Sequence, residues 1–516
     1  MRTIRHLFIP LSLISLLFLF SCNRKTAQSL TGDDGKIEIA IVQINDVYEI
    51  SGIDGGKAGN LARVAAFADS IRDQYPASMM MLAGDFLNPS LINTMKYEGE
   101  RIRGKQMVEV LNAMGMDVAA FGNHEFDFDY EDLQARINES TFDWVATNIQ
   151  LVEGKNMQDF YRENEQGKTS IPTTQSYQLK DADGTEIKLG VFSATIDSNP
   201  KDYVHYWDAD SCANLAINQL KTDHEILVGL THLSLPEDIA LAKAEQDIDL
   251  IVGGHEHDYR FEEVGEVRIA KADANAKTLY LHILSYDKKS KKLEIKSDLI
   301  PVDGRMKKSP KVHAIIEKWD KILNQEITQV IDDPYAVVYK SRQVLDGRES
   351  SIRHEQGRLG ELITKSMMAA VQQYPDIGML NSGSIRIDDE LEGDILGIDI
   401  FRTLPFGGSV IEVDMKGSLL AGVLRYSENN KGTGAYLQYT GLSKNGKDWM
   451  VNGSPLDNEK YYRVAMNDFL LMGFDIPFLK EDNKGIRNIS KPGKDDKKDP
   501  RSDIRAVVID YLEKLK

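Results

Sequence analysis

Seven polar residues follow apolar runs in this sequence, and their types are those of metal ligands and proton donors. The runs IEIAIVQIND, ASMMMLAGD, VAAFGNHEFD, EILVGLTH and IDLIVGGHEH end on Asp46, Asp85, Asn123, His124, His232, His255 and His257. Carboxylate, amide and imidazole donors without cysteine suit zinc, manganese, iron or a similar divalent ion. One tetrahedral zinc uses only about four ligands. The surplus therefore predicts two ions that share a bridging carboxylate.

The five apolar runs are short enough to be buried strands, and helical patterns such as GNLARVAAFADSIRDQY separate them. Alternating strands and helices predict an α/β sheet, in which sites form beyond the carboxyl ends of the strands. We therefore expect the polar residues to meet at one rim of the first sheet. A single histidine is more commonly an ordinary core or surface residue. The site is indicated by all members of the set lying at strand ends.

Length and charge set the class of protein. A chain of 516 residues predicts two sizeable domains, because one core does not grow to that size. The formal net charge of -18 argues against a partner that is a nucleic-acid polymer, which a basic surface would bind. A small anionic ligand stays possible, because a bound cation reverses the local field.

The first 22 residues have the pattern of an export signal. Arg2 and Arg5 precede the apolar stretch Leu7–Phe20, which is short for a membrane span. The segment closes on LFSC, which resembles the bacterial lipobox, so Cys22 is the expected lipidation site. Phe20 is bulkier than the usual residue there, and a signal peptide cleaved nearby without lipidation is the alternative.

The pattern changes near residue 309. Ser309 is a plausible N-cap and Pro310 a first-turn residue, and an apolar stripe from Val312 to Ile327 follows at helical spacing. We expect a signal peptide over 1–22, a tether over 23–36, a metal-binding domain over 37–305, a linker helix over 306–335 and a substrate domain over 336–516. The predicted fold class is α/β with two domains.

Four motifs resemble the ordered signature of the calcineurin-like metallophosphoesterases. They are GDFLN, GNHEFD, LTH and GGHEH, starting at residues 84, 122, 230 and 253. From about residue 36 to its end, the chain resembles the bacterial and animal 5′-nucleotidase family, which includes cyclic-nucleotide phosphodiesterases and UDP-sugar hydrolases. The resemblance implies a metallophosphoesterase α/β sandwich and a C-terminal α/β nucleotide-binding domain, joined by a helix.

The resemblance also implies residue roles. Asp85 would bridge two divalent ions, zinc or manganese with iron possible, and the other ligands fall into two sets: Asn123, His232 and His255 for one ion, and Asp46 and His257 for the other. A metal-bridging hydroxide attacks phosphorus in this family, as the lowered pKa of bound water allows. His124, oriented by Asp127, would stabilise the developing charge. Glu125 has no family role, and we expect a solvated acid.

One position departs from the family pattern. The family opens with Asp-x-His, whereas this chain reads NDVYEI and has Tyr48 in place of the histidine. Three outcomes stay open at this point: a weakened first site, iron bound by the tyrosinate, or a tyrosine behind a water ligand.

The second half of the chain carries motifs that resemble the family's nucleotide-binding loops. NSGSIR and SIRHEQGRLG supply phosphate- and ribose-binding candidates, and LPFGG and NDFLLMGFD supply two rings for a base clamp and a ribose-binding carboxylate. The residues are Arg353, Asn381, Arg386, Phe406, Phe469 and Asp475. The loop around Asp475 lacks the usual glycines, which leaves the clamp's shape and base preference open.

Three functions follow as alternatives. The first is a metal-dependent 5′-nucleotidase, anchored by lipid in the bacterial cell envelope and acting on small nucleotides. The second is a cyclic-nucleotide phosphodiesterase or UDP-sugar hydrolase on the same site. The third is a surface binding protein with a decayed metal site, which the otherwise intact ligand set disfavours. The oligomeric state is not indicated by the sequence.

Overall fold

The computed structural model describes residues 32–198, 201–371, 373–493 and 498–516. The predicted signal peptide with Cys22, and most of the predicted tether, lie outside these residues. Among the helices in the described part of the chain, none combines the length and apolar character that a membrane span requires.

Two six-stranded sheets form the first domain. In spatial order, the first sheet contains Lys292–Pro301, Thr278–Asp287, Lys36–Ile44, Ser78–Ala83, Val118–Ala120 and Asp143–Val145. The second contains Thr174–Lys180, Glu186–Thr195, Ile226–His232, Leu250–Gly253, Val267–Lys271 and Arg260–Val264. The five predicted strands are confirmed, but three belong to one sheet and two to the other. The expectation that the first sheet alone carries the polar residues is therefore wrong, because strands of both sheets end at the site.

The two sheets pack face to face because their central strands are apolar on both sides. Ile39 and Ile41 of the strand Lys36–Ile44 share one core with Val228 and Leu230 of the second sheet. The opposite side of that strand, including Val42, packs on helices instead. Burial of both faces explains why parallel strands read as continuous apolar runs. The result is the predicted α/β sandwich.

Helices cover the outer faces of the sandwich. Those of the first domain are Leu61–Gln74, Lys105–Met114, Tyr130–Glu139, Ala209–Leu220 and Leu235–Ala244, with short 3-10 turns at Leu91–Thr94, His124–Asp127 and Ala274–Ala276. Its smaller strands are Gly52–Ile53, Ala58–Gly59, Lys96–Tyr97, Glu100–Arg101, Ile149–Glu153, Asn156–Gln158, Tyr161–Asn164, Gly167–Ser170 and Val204–Tyr206.

The predicted linker helix is Pro310–Ile327, with Ser309 at its N-cap. It is not a free connection. Trp319 is fully buried, and its indole Nε1 donates a 2.9 Å hydrogen bond to Glu109 of the helix Lys105–Met114. The helix is therefore docked on the first domain.

The second domain is built on a five-stranded sheet. In order, its strands are Leu437–Thr440, Ile377–Asn381, Tyr461–Asn467, Val410–Lys416 and Ile486–Ser490. Smaller strands are Val337–Asp346, Glu390–Leu396, Leu442–Asn445, Asp448–Val451 and Ser454–Pro455. The helices are Glu349–Ile352, Arg358–Ala370, Gly397–Thr403, Gly417–Asn429 and Ile504–Glu513, with 3-10 turns at Ser382–Ser384, Asp468–Leu471 and Pro500–Ser502.

Candidate metal centre and substrate pocket

The predicted ligands meet where strands of both sheets end. Asp46 follows Lys36–Ile44, and Asp85 follows Ser78–Ala83. His232 is the last residue of Ile226–His232 in the second sheet. Ligand atoms of Asp46, Asp85 and His232 all lie within 4.8 Å of one another, and the three side chains are buried. Two carboxylates and an imidazole thus share one buried site, which is the arrangement of a metal centre.

His232 shows how the donors fit a cation. Its Nδ1 lies 2.8 Å from the carbonyl oxygen of Ala83, so Nδ1 donates to that carbonyl and Nε2 is the nitrogen that faces the centre. Within the described residues Nε2 has no hydrogen-bond partner, although Asp85 Oδ2 is 3.0 Å away. Burial lowers the pKa of His232, but Asp85 and Asp46 raise it to about 9. A bound cation would replace the proton that Nε2 carries in the protonated ring.

Two histidines of the HEH segment, His255 and His257, both approach the carboxylate of Asp46. The backbone N–H of His255 donates to both oxygens of the Asp46 carboxylate, at 3.2 and 2.9 Å. The His255 ring lies 5.4 Å from the His232 ring, centroid to centroid. His257 Nε2 lies 3.4 Å from Asp46 Oδ1 on the other side. The two imidazoles therefore reach different parts of the centre, as two ions require.

Tyr48 lies inside this centre. Its hydroxyl is 2.9 Å from His257 Nε2 and 3.4 Å from Asp85 Oδ2, and its side chain is buried. Burial, and then the negative charges of Asp85 and Asp46, raise the pKa of Tyr48 well above its ordinary value.

Four ligand residues adopt left-handed backbone conformations. The φ angles are 51° at Asp46, 55° at Asp85, 89° at His255 and 63° at His257. Residues other than glycine rarely occupy this region, and such strain concentrates at functional sites. These conformations turn the chain sharply at the strand ends, which brings the side chains back towards one point.

The motif glycines are required by close approach. A Cβ on Gly122 would lie 2.1 Å from Asp85 Oδ1, and one on Gly254 would lie 2.4 Å from the carbonyl oxygen of Ala83. Asn123, buried at the start of the turn His124–Asp127, follows Gly122 directly. Any side chain at residue 122 would displace the bridging candidate.

Glu125 is not the solvated acid that we expected. It is fully buried, and its carboxylate accepts four backbone hydrogen bonds, from Asp85, Phe86, Leu87 and Gly122. Burial and then the charge of Asp85 raise its pKa to about 7, against the backbone donors. Glu125 thus ties the segment that carries Asp85 to the one that carries Asn123. Its place in GNHE gave no signal of this structural role.

Lys271 was also missed by the sequence analysis. This buried ammonium donates to the carbonyl oxygens of Leu233 at 2.7 Å and Gly254 at 2.9 Å. Leu233 follows His232 and Gly254 precedes His255, so Lys271 fixes the separation of the two histidines.

The predicted His–Asp pair is formed. His124 Nδ1 lies 2.9 Å from Asp127 Oδ2, and the His124 backbone N–H donates to Asp85 Oδ1 at 2.7 Å. Burial lowers the pKa of His124, but Asp85 and Asp127 raise it well above its ordinary value. An imidazolium next to the metal centre is a group that can donate a proton.

The second domain completes this pair. Arg386 donates to Asp127 Oδ2 at 2.6 Å and to Glu349 Oε1 at 3.0 Å. Asp388, which we did not predict, places Oδ2 3.4 Å from His124 Nε2 and 3.5 Å from His257 Nε2. It lies two residues after Arg386, so the segment directly after NSGSIR also reaches the centre.

The other predicted substrate residues form a polar group beside this loop. Asn381 Nδ2 donates to Asp475 Oδ2 at 2.7 Å, and Asn467, which we did not predict, donates to Asn381 Oδ1 at 3.1 Å. Arg353 is paired with Glu349. Burial raises the pKa of Asp475.

The predicted base clamp pairs Phe406 with Phe469, but in the structure Phe469 has another aromatic neighbour. Phe469 packs against Phe474, with ring centroids 5.8 Å apart, and Phe474 is 73% exposed. Phe406 is 65% exposed and lines a pocket of about 250 Å³ together with Tyr48, Asn88, Asp127 and Arg386. Phe474, which the sequence analysis did not select, is therefore a further exposed ring for a base.

Two family models match the chain. Residues 39–259 match the calcineurin-like phosphoesterases, and residues 337–481 match the 5′-nucleotidase C-terminal domain. Together the matches span more than two thirds of the sequence. The chain belongs to the 5′-nucleotidase family. It is a phosphoric ester hydrolase of that type, and the family implies divalent metal ions.

Two of three curated relatives are similar to this chain over most of their own length. The 5′-nucleotidase of Bos taurus is 25% identical over 85% of this chain and 83% of its own. Protein UshA of Yersinia enterocolitica is 25% identical over 86% of each chain. The trifunctional nucleotide phosphoesterase YfkN of Bacillus subtilis is 24% identical over 86% of this chain, which spans 32% of that protein.

Solved structures share the fold. The 5′-nucleotidase precursor of Thermus thermophilus superimposes with a TM-score of 0.66 at 21% identity, over 93% of this chain and 97% of its own. The Thermus sulfate thiohydrolase SoxB gives a TM-score of 0.60 at 16% identity, over 92% and 94%. The fold alone therefore does not identify the substrate.

Proposed function

We propose that this enzyme releases phosphate from nucleoside 5′-monophosphates at the bacterial cell envelope. The observation that carries the proposal is the shared carboxylate of Asp127. Its Oδ2 accepts hydrogen bonds from His124 of the first domain and from Arg386 of the second. A cation centre, an imidazolium and a guanidinium in one pocket suit a phosphate monoester, because all three favour the anion.

The side chains of the first domain have distinct tasks. Two metal ions at the predicted ligands would bind phosphoryl oxygens and lower the pKa of a coordinated water. Asp127 holds His124 by Nδ1, so Nε2 points into the site. From there His124 can donate its proton to the departing 5′-oxygen, which leaves as a neutral hydroxyl.

The second domain supplies the nucleotide contacts. Arg386 and Arg353 are the guanidinium groups that can pair with phosphate. Asn381 and Asp475 are already hydrogen-bonded to each other at 2.7 Å, which places a carboxylate and an amide together for a ribose. Phe406 and Phe474 are exposed rings on which a base can stack.

The position of Asp388 supports a movement between the domains during turnover. Its carboxylate lies 3.4 Å from His124 Nε2, the nitrogen that would face a bound phosphate. Two anions cannot share that imidazolium, so the loop with Asp388 must withdraw when substrate binds. This hypothesis predicts that a reversible covalent crosslink between the domains stops turnover and that reduction restores it. Full activity in the crosslinked state would contradict it.

The experiment that tests the proposed function compares substrates. The purified, metal-loaded chain is given AMP, 2′,3′-cyclic AMP and UDP-glucose, and kcat/KM is measured for each. We expect AMP to give the highest value, with free phosphate and adenosine as products. A preference of tenfold or more for either of the other substrates would overturn the proposal.

One observation favours nucleotide sugars as a second candidate. A larger cleft of about 990 Å³ adjoins the pocket and shares Arg103, Pro405 and Phe406 with it. Lys96, Arg101 and Arg505 also line this cleft. Glu326, Asp499 and Asp503 line it too, so its size and not its net charge is the supporting observation. A cleft of this size could hold the part of a substrate beyond its pyrophosphate, and activity on UDP-glucose would support this candidate.

The envelope location rests on the first 22 residues of the sequence. Labelled palmitate should enter the wild-type chain and not the Cys22→Ser variant, and the wild type should sediment with membranes. Unlabelled wild type would contradict the lipid anchor.

A further inference from the structure

Tyr48 is placed among the ligands of the centre. Only 2% of the residue is exposed, and its ring packs edge-on against the His124 and His257 rings, at centroid distances of 6.1 and 5.5 Å. This packing fixes the ring, so the hydroxyl is held 2.9 Å from His257 Nε2 and 3.4 Å from Asp85 Oδ2.

These separations match those of ligands around a single ion. Atoms about 2.1 Å from one ion are about 3.0 Å apart at a right angle and about 3.4 Å apart at a tetrahedral angle. The distance from Tyr48 Oη to His257 Nε2 is 2.9 Å, and that from Tyr48 Oη to Asp85 Oδ2 is 3.4 Å. The distance from His257 Nε2 to Asp46 Oδ1 is also 3.4 Å. Three of the six separations among these four atoms therefore have the values expected for ligands of one ion.

The orientation of His257 agrees with this arrangement. Its Nδ1 donates to the carbonyl oxygen of Asp388 at 2.7 Å, which directs Nε2 at Tyr48 and the centre. Without a cation, Nε2 and the Tyr48 hydroxyl share one proton in a hydrogen bond. A cation between them takes the place of the proton.

The two halves of the centre differ in their donors. The half around Tyr48 contains three oxygens, from Tyr48, Asp46 and Asp85, and one nitrogen, from His257. The other half contains the imidazoles of His232 and His255 with the Asn123 amide and the shared Asp85, so it has one more nitrogen and one fewer oxygen donor. Oxygen donors favour harder cations, and tyrosine is a known ligand of ferric iron in haem proteins.

We propose that Tyr48 binds the first ion as a phenolate, and that this oxygen-rich position selects ferric iron beside a divalent ion at His232 and His255. When the iron–oxygen bond forms, the phenol proton leaves to solvent and the iron stays ferric. The proposal rests on the metal-dependent chemistry proposed above, but its test does not depend on activity.

The test is a metal-binding experiment with a spectroscopic readout. Protein freed of metal by a chelator is given ferric citrate and zinc chloride in equal amounts. The amount of each metal bound per chain and the visible spectrum are then recorded. We expect one iron and one zinc per chain and a phenolate-to-iron charge-transfer band, with tyrosinate modes in the resonance Raman spectrum. A colourless protein with zinc in both positions would overturn the proposal.

Variants separate ligation from folding. Tyr48→Phe should lose the band and bind iron at least about tenfold more weakly. Tyr48→His, which offers an imidazole, should bind two zinc ions without the band. Tyr259→Phe is the matched control, because Tyr259 is 56% exposed, and it should keep the band. A band that persists in Tyr48→Phe would assign the colour to another group and overturn the proposal.

Activity on AMP distinguishes this proposal from the proposed function. A colourless zinc protein that hydrolyses AMP would overturn the tyrosine assignment alone. A coloured protein that is inactive on every phosphate ester would retain the assignment and overturn the proposed function.

Discussion

Arg386 Nη2 lies 2.6 Å from Asp127 Oδ2, and this ion pair joins the second domain to the catalytic candidate of the first. The same oxygen accepts the hydrogen bond from His124. Burial raises the pKa of Asp127, but Arg386 and then His124 lower it below its ordinary range, so the carboxylate stays ionised at neutral pH. Asp127 Oδ2 thus orients His124, the candidate proton donor, and also binds the second domain through Arg386.

Replacement of Asp127 should impair the chemical step. Asp127→Asn keeps the size of the side chain but removes the negative charge, which orients His124 and favours its protonated form. We expect kcat for AMP to fall by about 10²- to 10⁴-fold, with a smaller change in KM. Steady-state kinetics measure both constants. Asp129→Asn, an exposed neighbour, is the control and should behave as wild type. Equal kcat values in the two variants would contradict the role of Asp127.

Glu125 should control metal affinity. Glu125→Gln places an NH₂ group among four backbone N–H donors, which weakens the tie between the segments of Asp85 and Asn123. We expect the dissociation constant for the bound ions to rise about 10- to 100-fold, as for other groups that support ligands. Calorimetric titration with zinc measures it. The exposed Glu131→Gln is the control, and unchanged affinity in Glu125→Gln would show that the tie is not needed.

A methyl group at residue 122 should disrupt the centre. The Cβ of Gly122→Ala would lie 2.1 Å from Asp85 Oδ1, so the carboxylate must move. Because such a displacement of a reacting group can cost about 100-fold in rate, we expect at least that loss of kcat/KM for AMP. Gly304→Ala is the control, since nothing lies within 4 Å of its added Cβ. Wild-type activity in Gly122→Ala would contradict the placement of Asp85.

The strand ends and most ligands could be predicted because apolar runs and their polar endings are local features. The pairing of sheets could not, because two runs such as those before His124 and His232 look alike whether they share a sheet or face each other. Glu125 and Lys271 escaped prediction for another reason. Most of their partners are distant in sequence, and a charged residue reads as exposed until its partners are known.

The contacts between the domains were the least predictable part. Arg386 was selected from its motif, but its pairing with Asp127 depends on the orientation of the domains. Asp388 had no motif of its own. Phe474 was missed because an aromatic residue in a loop reads as ordinary packing, whereas the structure leaves it exposed.

Stability should fall in acid through His282. This histidine is fully buried between Gln43 and Ser297, and burial lowers its pKa to about 3 from 6.5. Below pH 6.5, His282 becomes protonated in the unfolded chain but not in the folded one. The free energy of unfolding is therefore highest above that pH and decreases as the pH falls towards 3. Between pH 7 and pH 5 we expect wild type to lose about 2 kcal/mol more than His282→Gln.

Urea unfolding at the two pH values measures this difference. His354→Gln, at an exposed position, is the control and should lose as much as wild type. Parallel losses in wild type and His282→Gln would show that His282 accepts a proton without unfolding.

The most direct measurement of the central claim is phosphate release from AMP, recorded with the metal content of the same sample. We predict that chelation removes the ions and at least about 99% of the activity, and that activity returns as two ions bind per chain. Asp85→Asn should not recover, because it lacks the bridging charge. Unchanged hydrolysis by the metal-free protein, or none by protein with two bound ions, would contradict the account.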